Sequence, residues 1–202
     1  IANGVISDYD MTTRMLQELL SRVTSFSFFK PRVIVCVPSS ITGVEERAII
    51  DATIEAGARK VYLLETAVAT STGAGIDISK PEGHLVIDIG GGTTEVAVVS
   101  LGGVVEVESI KTAGDEFDEA IVRYIRRKHN VLIGARTAEE LKRAIGCVYT
   151  RREVETREVK GRCLLTGLPK AVTVNSNDMI EALAEPVEKV LETIHMVLER
   201  TP

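Results

Sequence analysis

Residues 85–100 read Leu-Val-Ile-Asp-Ile-Gly-Gly-Gly-Thr-Thr-Glu-Val-Ala-Val-Val-Ser. Two runs rich in β-branched residues flank three consecutive glycines, which predicts two antiparallel strands joined by a glycine turn. A second turn at residues 101–103, Leu-Gly-Gly, leads into another apolar run from Val104 to Ile110. The sequence therefore predicts a three-stranded antiparallel meander over residues 85–110.

The glycine turn carries the strongest chemical signal in the chain. Because glycine has no side chain, three in a row let the backbone approach a ligand closely and direct its N–H groups toward a phosphate. An aspartate at the end of the preceding strand can hold a magnesium ion through water, and the threonines that follow can donate hydroxyls. A plain hairpin is the alternative, but a two-residue turn needs at most two glycines. The predicted phosphate site comprises Gly90, Gly91, Gly92, Thr93 and Thr94, with Asp88 at the metal.

Upstream of the meander, helix and strand signals alternate. An apolar stripe at helical spacing predicts a helix over about residues 10–24. Residues 32–38 and 61–64 are apolar runs without a polar face, so both are predicted as strands buried on both sides. The helix between them begins at a capping box of Thr42 and Glu45. This strand–helix–strand order predicts a parallel pair and an α/β fold.

Downstream of the meander, the spacing of apolar residues predicts mainly helices. Helices are expected over about residues 115–128 and 137–149. A capping box of Thr137 and Glu140 is expected to begin the second of them. The sequence therefore predicts two helices directly after the meander.

The last fifty residues predict a hairpin and two helices. Alternating apolar and polar residues at 151–160 and 170–174 indicate a half-exposed hairpin. Ser176 is expected to cap a short helix, and Pro186 to stand in the first turn of a separate last helix.

Composition and charge limit the function classes. The 202 residues carry 24 Lys and Arg against 29 Asp and Glu, a net charge of −5, whereas a nucleic-acid binder needs a basic excess, so nucleic acid is not an expected partner. The three cysteines show no metal-ligand spacing, which favours a reducing compartment. No apolar stretch approaches the ~20 residues of a membrane span, so we expect a cytoplasmic protein. Because the chain begins at Ile1 and ends at Pro202, right after a helical pattern, we expect a fragment.

Several tracts together resemble a known family. Residues 85–100, with Thr-Gly-Ala-Gly at 72–75 and Ala-Gly-Asp-Glu-Phe-Asp-Glu-Ala at 113–120, resemble the actin, Hsp70 and sugar-kinase superfamily. Within it, Val-Lys-Gly-Arg at 159–162 and Thr-Gly-Leu-Pro at 166–169 resemble the MreB/Mbl family of bacterial actin homologues. The resemblance covers essentially the whole chain.

The resemblance implies an actin-like ATPase fold of two RNase H-like domains around a nucleotide cleft. It implies that this chain is an internal fragment, with part of the first domain at residues 1–82 and the second domain at residues 83–202, including an insertion at about 137–184. The implied function is ATP-dependent polymerisation into membrane-associated filaments that organise peptidoglycan synthesis and so determine rod cell shape. The implied partners are further copies of the chain, cell-shape proteins of the MreC, MreD and RodZ type, and the inner face of the cytoplasmic membrane.

By the same resemblance, residues 88–94 are the second phosphate-binding loop around the β- and γ-phosphates of ATP. Asp88 would hold Mg²⁺ through water, and Thr93 would lie near the γ-phosphate. The helix that borders adenine and ribose is matched by Glu139, Glu140, Leu141 and Lys142. From the residues alone, a solvated helical pair of Glu139 and Lys142 is the alternative.

The chain departs from the family pattern in two ways. The first phosphate loop, Asp-x-Gly-Thr, and the triple-glycine adenosine loop are absent from it. Thr66 stands where most relatives have the glutamate that orients the attacking water, and threonine cannot act as a general base at neutral pH. The residues leave open whether ATP is hydrolysed, and we expect slow hydrolysis or none. The alternative functions are an ATP-dependent kinase or exopolyphosphatase of the same superfamily, and a chaperone-type ATPase.

Three phenylalanines, Phe26, Phe28 and Phe29, precede the first predicted strand, at the place where relatives carry an apolar membrane-insertion loop. Exposed rings beside Lys30 and Arg32 would enter the headgroup boundary and meet anionic lipid. Packing of the rings into the core at the helix–strand junction is the alternative.

Overall fold

The computed structural model describes residues 6–24 and 30–202, so the three phenylalanines lie outside the described residues. Two compact units divide the chain, Ile1–Lys111 with Thr193–Pro202, and Thr112–Glu192. The domain boundary expected at residues 82 and 83 stays a prediction. In chain order the elements are α1 (Tyr9–Val23), β1 (Arg32–Val37), α2 (Gly43–Glu55), β2 (Lys60–Glu65), α3 (Thr66–Gly73), β3 (His84–Ile89), β4 (Thr94–Ser100), β5 (Gly103–Ile110), α4 (Gly114–His129), β6 (Val131–Leu132), α5 (Ala135–Ile145), β7 (Thr156–Cys163), β8 (Pro169–Asn175) and α6 (Ser176–Arg200).

The first unit begins with the predicted parallel pair. Strands β1 and β2 run parallel, in register from Arg32 beside Lys60 to Val37 beside Glu65. Helix α2 connects them and begins at the predicted capping box: the Thr42 hydroxyl accepts from the backbone N–H of Glu45, and the Glu45 carboxylate accepts from that of Thr42. The α/β crossover and its cap are thus confirmed.

The prediction that β1 and β2 are buried on both sides is wrong. In β1, Val37 is buried, whereas Ile34 is 65% exposed and Cys36 is also exposed. In β2, Tyr62 is 41% exposed. An apolar strand without a polar face is expected to be packed on both faces. In the described part of the chain, however, alternate side chains of β1 and β2 are exposed to solvent.

The predicted meander is confirmed and forms the second sheet of the first unit. Its strand order is β3-β4-β5, with both pairs antiparallel. The central strand β4 is buried on both sides, because Ala97 and Val99 pack with Val86, and Val96 and Val98 pack with Val197 near the end of α6. The two residues between β4 and β5, Leu101 and Gly102, both have positive φ, as a type I′ hairpin turn requires.

The second unit packs helices against a sheet of order β6-β7-β8. The predicted hairpin is confirmed as β7 and β8, which pair from Thr156 with Asn175 to Arg162 with Pro169. A Cβ at Gly161 would stand 2.5 Å from the carbonyl oxygen of Leu132, so only glycine fits where β7 passes β6. The core of this unit is a cluster that includes Ile121, Ile125, Val131, Leu141, Ile145, Val174 and Met179.

The predicted start of α5 is wrong. The helix begins at Ala135, with Gly134 as its N-cap residue, and ends at Ile145. Within the described residues, no side chain of the N-cap residue bonds to its first N–H groups. Thr137 therefore lies inside the helix, and the carboxylate of Glu140 pairs with Arg136 at 3.2 Å instead of reaching back to the backbone. The spacing of a capping box was present, but the helix starts earlier than it indicated.

The two helices predicted after β8 are one helix, α6, with Pro186 in its interior. Its start is held by Asn175 and Asp178, each of whose side chains accepts from the backbone N–H of the other, rather than by Ser176. Proline removes one helical hydrogen bond. The Pro186 ring is among the fully buried side chains, so packing offsets that loss. None of the helices formed by residues 6–24 and 30–202 combines the length and the apolar character that crossing a membrane requires.

Candidate functional site

The glycine turn joins β3 to β4 through residues 90–93. The backbone N–H of Gly90 donates to the carbonyl of Thr93 at 2.9 Å, and a Cβ at Gly90 would stand 3.2 Å from that oxygen. In the described chain, the glycines with positive φ are at positions 57, 75, 102 and 167. At Gly90 the close Thr93 carbonyl therefore favours a residue without a side chain, and the turn is exposed at Gly90 and Gly91.

Asp88 stands two residues before the turn, on β3, directly opposite Glu95 on β4. Its side chain is half-buried. Mg²⁺ prefers oxygen ligands and usually keeps several waters beside one or two carboxylates and substrate phosphates. Residues 6–24 and 30–202 contain no group of three or more side chains that could cage a metal by themselves. A single half-buried carboxylate two residues before the glycine turn fits a magnesium ion that is held through water.

Glu95 is a carboxylate that sequence reasoning missed. It is 6% exposed, and it accepts from the backbone N–H of Ser39 at 3.0 Å, from the Ser39 hydroxyl at 3.5 Å, and from the backbone N–H of Ala67. Burial raises the pKa of this carboxyl above its ordinary value, although the hydrogen bonds from Ser39 and Ala67 favour the charged form. The available signal was an acidic residue at the start of an otherwise apolar strand, which calls for buried partners.

Thr66 is the first residue of α3 and is half-buried. The residue before it, Glu65, occupies the N-cap position, yet its side chain makes no capping hydrogen bond within the described structure. The hydrogen bond from Ala67 to Glu95 satisfies one N–H of this helix end instead. The hydrogen bond from Ala67, the residue after Thr66, thus links the start of α3 to β4, the strand that follows the glycine turn.

The predicted adenosine residues lie on α5, in the second unit. The ammonium of Lys142 donates to the carbonyl of Gly114 at 2.8 Å and lies 2.9 Å from the Asp118 carboxylate, so it fastens α5 to the start of α4. Glu139 pairs with Arg143 at 2.8 Å. The alternative pair of Glu139 with Lys142 is therefore not the one that forms.

Two of these α5 residues line a groove. Glu140 and Leu141 border a cavity of about 530 Å³ between α5 and β7. Leu141 is nearly fully buried, whereas Glu140 is exposed. The opposite wall is formed by residues 157–160 of β7, Arg-Glu-Val-Lys, which sequence reasoning did not single out. The groove thus places Glu140 and Leu141 at a cavity, while Lys142 faces α4.

Comparison with known proteins identifies close relatives. A family model described as MreB/Mbl protein matches residues 1–202. The cell shape-determining protein MreB of Escherichia coli strain K12 is 48% identical over 202 residues, which are 99% of this chain and 58% of that protein. The cell shape-determining protein Mbl of Bacillus subtilis strain 168 is 42% identical over 203 residues, 100% of this chain and 61% of that protein. This chain spans about three fifths of the length of these relatives.

Solved structures show the same fold. The crystal structure of MreB 5 of Spiroplasma citri bound to AMPPNP matches with a TM-score of 0.94 and 36% identity, over 100% of this chain and 61% of that one. The MamK double helical filament matches with a TM-score of 0.82, over 100% of this chain and 62% of that one; at 19% identity it supports the fold alone. The predicted actin-like fold is confirmed.

Proposed function

Because the chain belongs to the MreB/Mbl protein family, we propose that the complete protein is a bacterial actin-like cytoskeletal protein that binds ATP and polymerises into filaments. The observation that carries this proposal is the TM-score of 0.94 to MreB 5 bound to AMPPNP. The 48% identity to a cell shape-determining MreB supports the same role in cell shape. On this proposal the filaments organise peptidoglycan synthesis in a rod-shaped cell.

The phosphate end of the nucleotide belongs at the glycine turn. Backbone N–H groups of Gly90, Gly91 and Gly92 would surround the β- and γ-phosphates, with hydroxyls from Thr93 and Thr94 beside them. Asp88 would hold Mg²⁺ through water, and the ion supplies neutralisation of the phosphate charge. The exposed positions of Gly90 and Gly91 and the half-buried carboxylate of Asp88 support this assignment.

The adenosine end belongs to α5, through Glu139, Glu140, Leu141 and Lys142. The groove beside Glu140 and Leu141 supports a contact with the base or ribose. Lys142 acts on this proposal chiefly by fixing α5 to α4, since Gly114 and Asp118 occupy its ammonium. The domain division at residues 82 and 83 belongs to the same proposal for the complete protein.

Hydrolysis of ATP is slow or absent on this proposal, because Thr66 offers no general base. Thr93 stays as the catalytic hydroxyl nearest the γ-phosphate. Polymerisation of the complete protein would then be controlled mainly by the binding of ATP and less by its hydrolysis.

The complete protein would act in the cytoplasm, at the inner face of the cell membrane. Phe26, Phe28 and Phe29 would insert there, and proteins of the MreC, MreD and RodZ type would bind the filament. Liposome co-sedimentation of Phe28→Ser/Phe29→Ser against the parent tests the membrane contact, and equal binding by both would refute it.

Equilibrium binding of fluorescent ATP to the complete protein tests nucleotide binding directly. Gly91→Val places a branched side chain in the exposed turn, where the phosphates would lie, and should abolish tight binding. The matched control is Gly103→Val, because a Cβ at Gly103 meets nothing within 4 Å and that residue begins β5 away from the turn. Tight ATP binding by Gly91→Val would refute the proposed phosphate site.

A further inference from the structure

The carboxylate of Glu95 joins three segments that are distant in sequence. It projects from β4, two residues after Thr93, and accepts the backbone N–H of Ser39, 56 residues earlier, at 3.0 Å. Its other main partner is the backbone N–H of Ala67 in the first turn of α3. One buried side chain on β4 therefore connects the loop just after β1 with the start of α3.

This contact replaces a missing helix cap. The first N–H groups of a helix need acceptors, which usually come from the side chain of the N-cap residue. Glu65 at the N-cap of α3 provides no such side-chain bond in the described structure. A carboxylate is favoured at this end of a helix because it faces the positive end of the helix dipole. Glu95 thus caps α3 from a neighbouring sheet.

We infer that Glu95 is a positioning residue for the terminal phosphate of a bound nucleoside triphosphate. This inference rests on the proposed function, in which the glycine turn surrounds the β- and γ-phosphates and Thr66 takes the position of the glutamate that orients the attacking water. Ala67, whose backbone N–H donates to Glu95, directly follows Thr66 in α3. Thr93 is the last residue of the glycine turn, two residues before Glu95 of β4. Glu95 therefore sets the spacing between the two sides of the γ-phosphate position. A site held in this way favours a triphosphate over a diphosphate.

Glu95→Gln tests the inference in the complete protein. Glutamine keeps the size of the side chain, but it removes the charge and replaces one of the two acceptor oxygens with an NH₂ donor, so the hydrogen bonds from Ser39 and Ala67 are weakened. The ratio of ATP affinity to ADP affinity should fall about tenfold, as expected when a hydrogen bond to a charged group is lost. The ADP affinity itself should change by less than about twofold, because ADP lacks the phosphate concerned.

The controls separate positioning from general damage. Glu108→Gln removes a carboxylate on the neighbouring strand β5 that contacts Arg200 at 3.0 Å, and should leave the ATP to ADP ratio unchanged. Glu95→Asp keeps the charge with a shorter reach and is measured alongside, so that a folding failure of the glutamine variant does not end the test. A folded Glu95 variant that loses ATP and ADP affinity by the same factor, or loses neither, would overturn the inference. A parent protein that binds neither nucleotide would instead contradict the proposed function.

Discussion

At the scale of single residues, the chemistry of the candidate site is decided by two neighbours of the glycine turn, Thr66 and Glu95. Thr66 lacks a basic group at the start of α3, where the family resemblance places a glutamate. Glu95 has a carboxylate, but Ser39 and Ala67 already donate to it and it is 6% exposed. It therefore fixes the site rather than supplying the missing base.

Replacing Thr66 with glutamate should restore hydrolysis. Thr66→Glu in the complete protein should raise the rate of phosphate release from saturating ATP by about a hundredfold, the usual contribution of a positioned general base. Thr66→Gln is the matched control, because it has the same size without a basic group. Equal phosphate release by the two variants would show that position 66 does not carry the reaction.

Another residue-scale feature is the buried cluster around Asp178 in the second unit. The carboxylate of Asp178 lies 2.5 Å from the ammonium of Lys128 and 3.1 Å from the hydroxyl of Tyr124. Burial raises the pKa of Asp178, but the hydrogen bonds from Lys128, Asn175 and Tyr124 outweigh it, so the pKa lies below its ordinary value. A carboxylate with a lowered pKa in the folded state stabilises the fold fully above the unfolded-state pKa, about 3.9 for aspartate. That stabilisation is lost as the pH falls through the lower folded-state pKa.

Asp178→Asn should therefore lower the free energy of unfolding at pH 7 by about 1.5–3 kcal/mol, the range for hydrogen bonds to charged groups. The difference from the parent should shrink below about pH 4, as the pH falls from the unfolded-state pKa of aspartate through the lower folded-state pKa of Asp178. Denaturant unfolding at pH 7 and pH 3 measures both values. Glu185→Gln, which breaks an exposed pair on the same helix, serves as control and should behave like the parent. A pH-independent difference for Asp178→Asn would contradict the role of this charge.

At the scale of elements, the sequence predicted those whose signals are local. Runs of β-branched residues and the glycine turn predicted the meander, and the Thr42 and Glu45 spacing predicted the start of α2. The same spacing at Thr137 and Glu140 failed because α5 starts earlier, at Ala135. The predicted helix break before Pro186 is absent, because the proline ring is buried and its packing offsets the lost hydrogen bond within one continuous α6. Tertiary packing of this kind leaves no local pattern in the sequence.

The two capping-box patterns give an element-scale prediction. Thr42→Ala should lower the free energy of unfolding by about 1 kcal/mol, because its hydroxyl accepts a backbone N–H at the start of α2. Thr137→Ala carries the same change within a similar sequence pattern, but inside α5, where alanine is the better helix former. It should leave stability unchanged or slightly raised. The denaturant midpoints of both variants measure these changes in stability. Equal decreases in the free energy of unfolding would show that Thr137 also caps its helix.

At the scale of the whole molecule, the two predicted parts of the nucleotide site lie in different compact units. The glycine turn was predictable because consecutive glycines between two apolar runs are a local pattern, and its phosphate site stays a prediction. The contacts of Glu95 were not, because Ser39 lies 56 residues away in sequence. The exposure of Ile34 and Tyr62 was not predictable either. An apolar strand indicates that its side chains favour burial, but it does not show whether other residues of the described chain pack against them.

The family assignment places this chain within a longer protein. The relatives exceed it, since the chain covers 58% of Escherichia coli MreB. The proposed activity therefore belongs to the complete protein, in which the first phosphate loop and the adenosine loop of the family are expected. Filament formation is the proposed property that best distinguishes this function from the kinase and exopolyphosphatase alternatives.

Sedimentation of the complete protein with ATP and magnesium, with electron microscopy of the pellet, tests the central claim most directly. Filaments are expected in the pellet with ATP, and they should be lost in Gly91→Val but not in Gly103→Val. A protein that stays monomeric under these conditions and turns over a sugar or polyphosphate with saturation would contradict it.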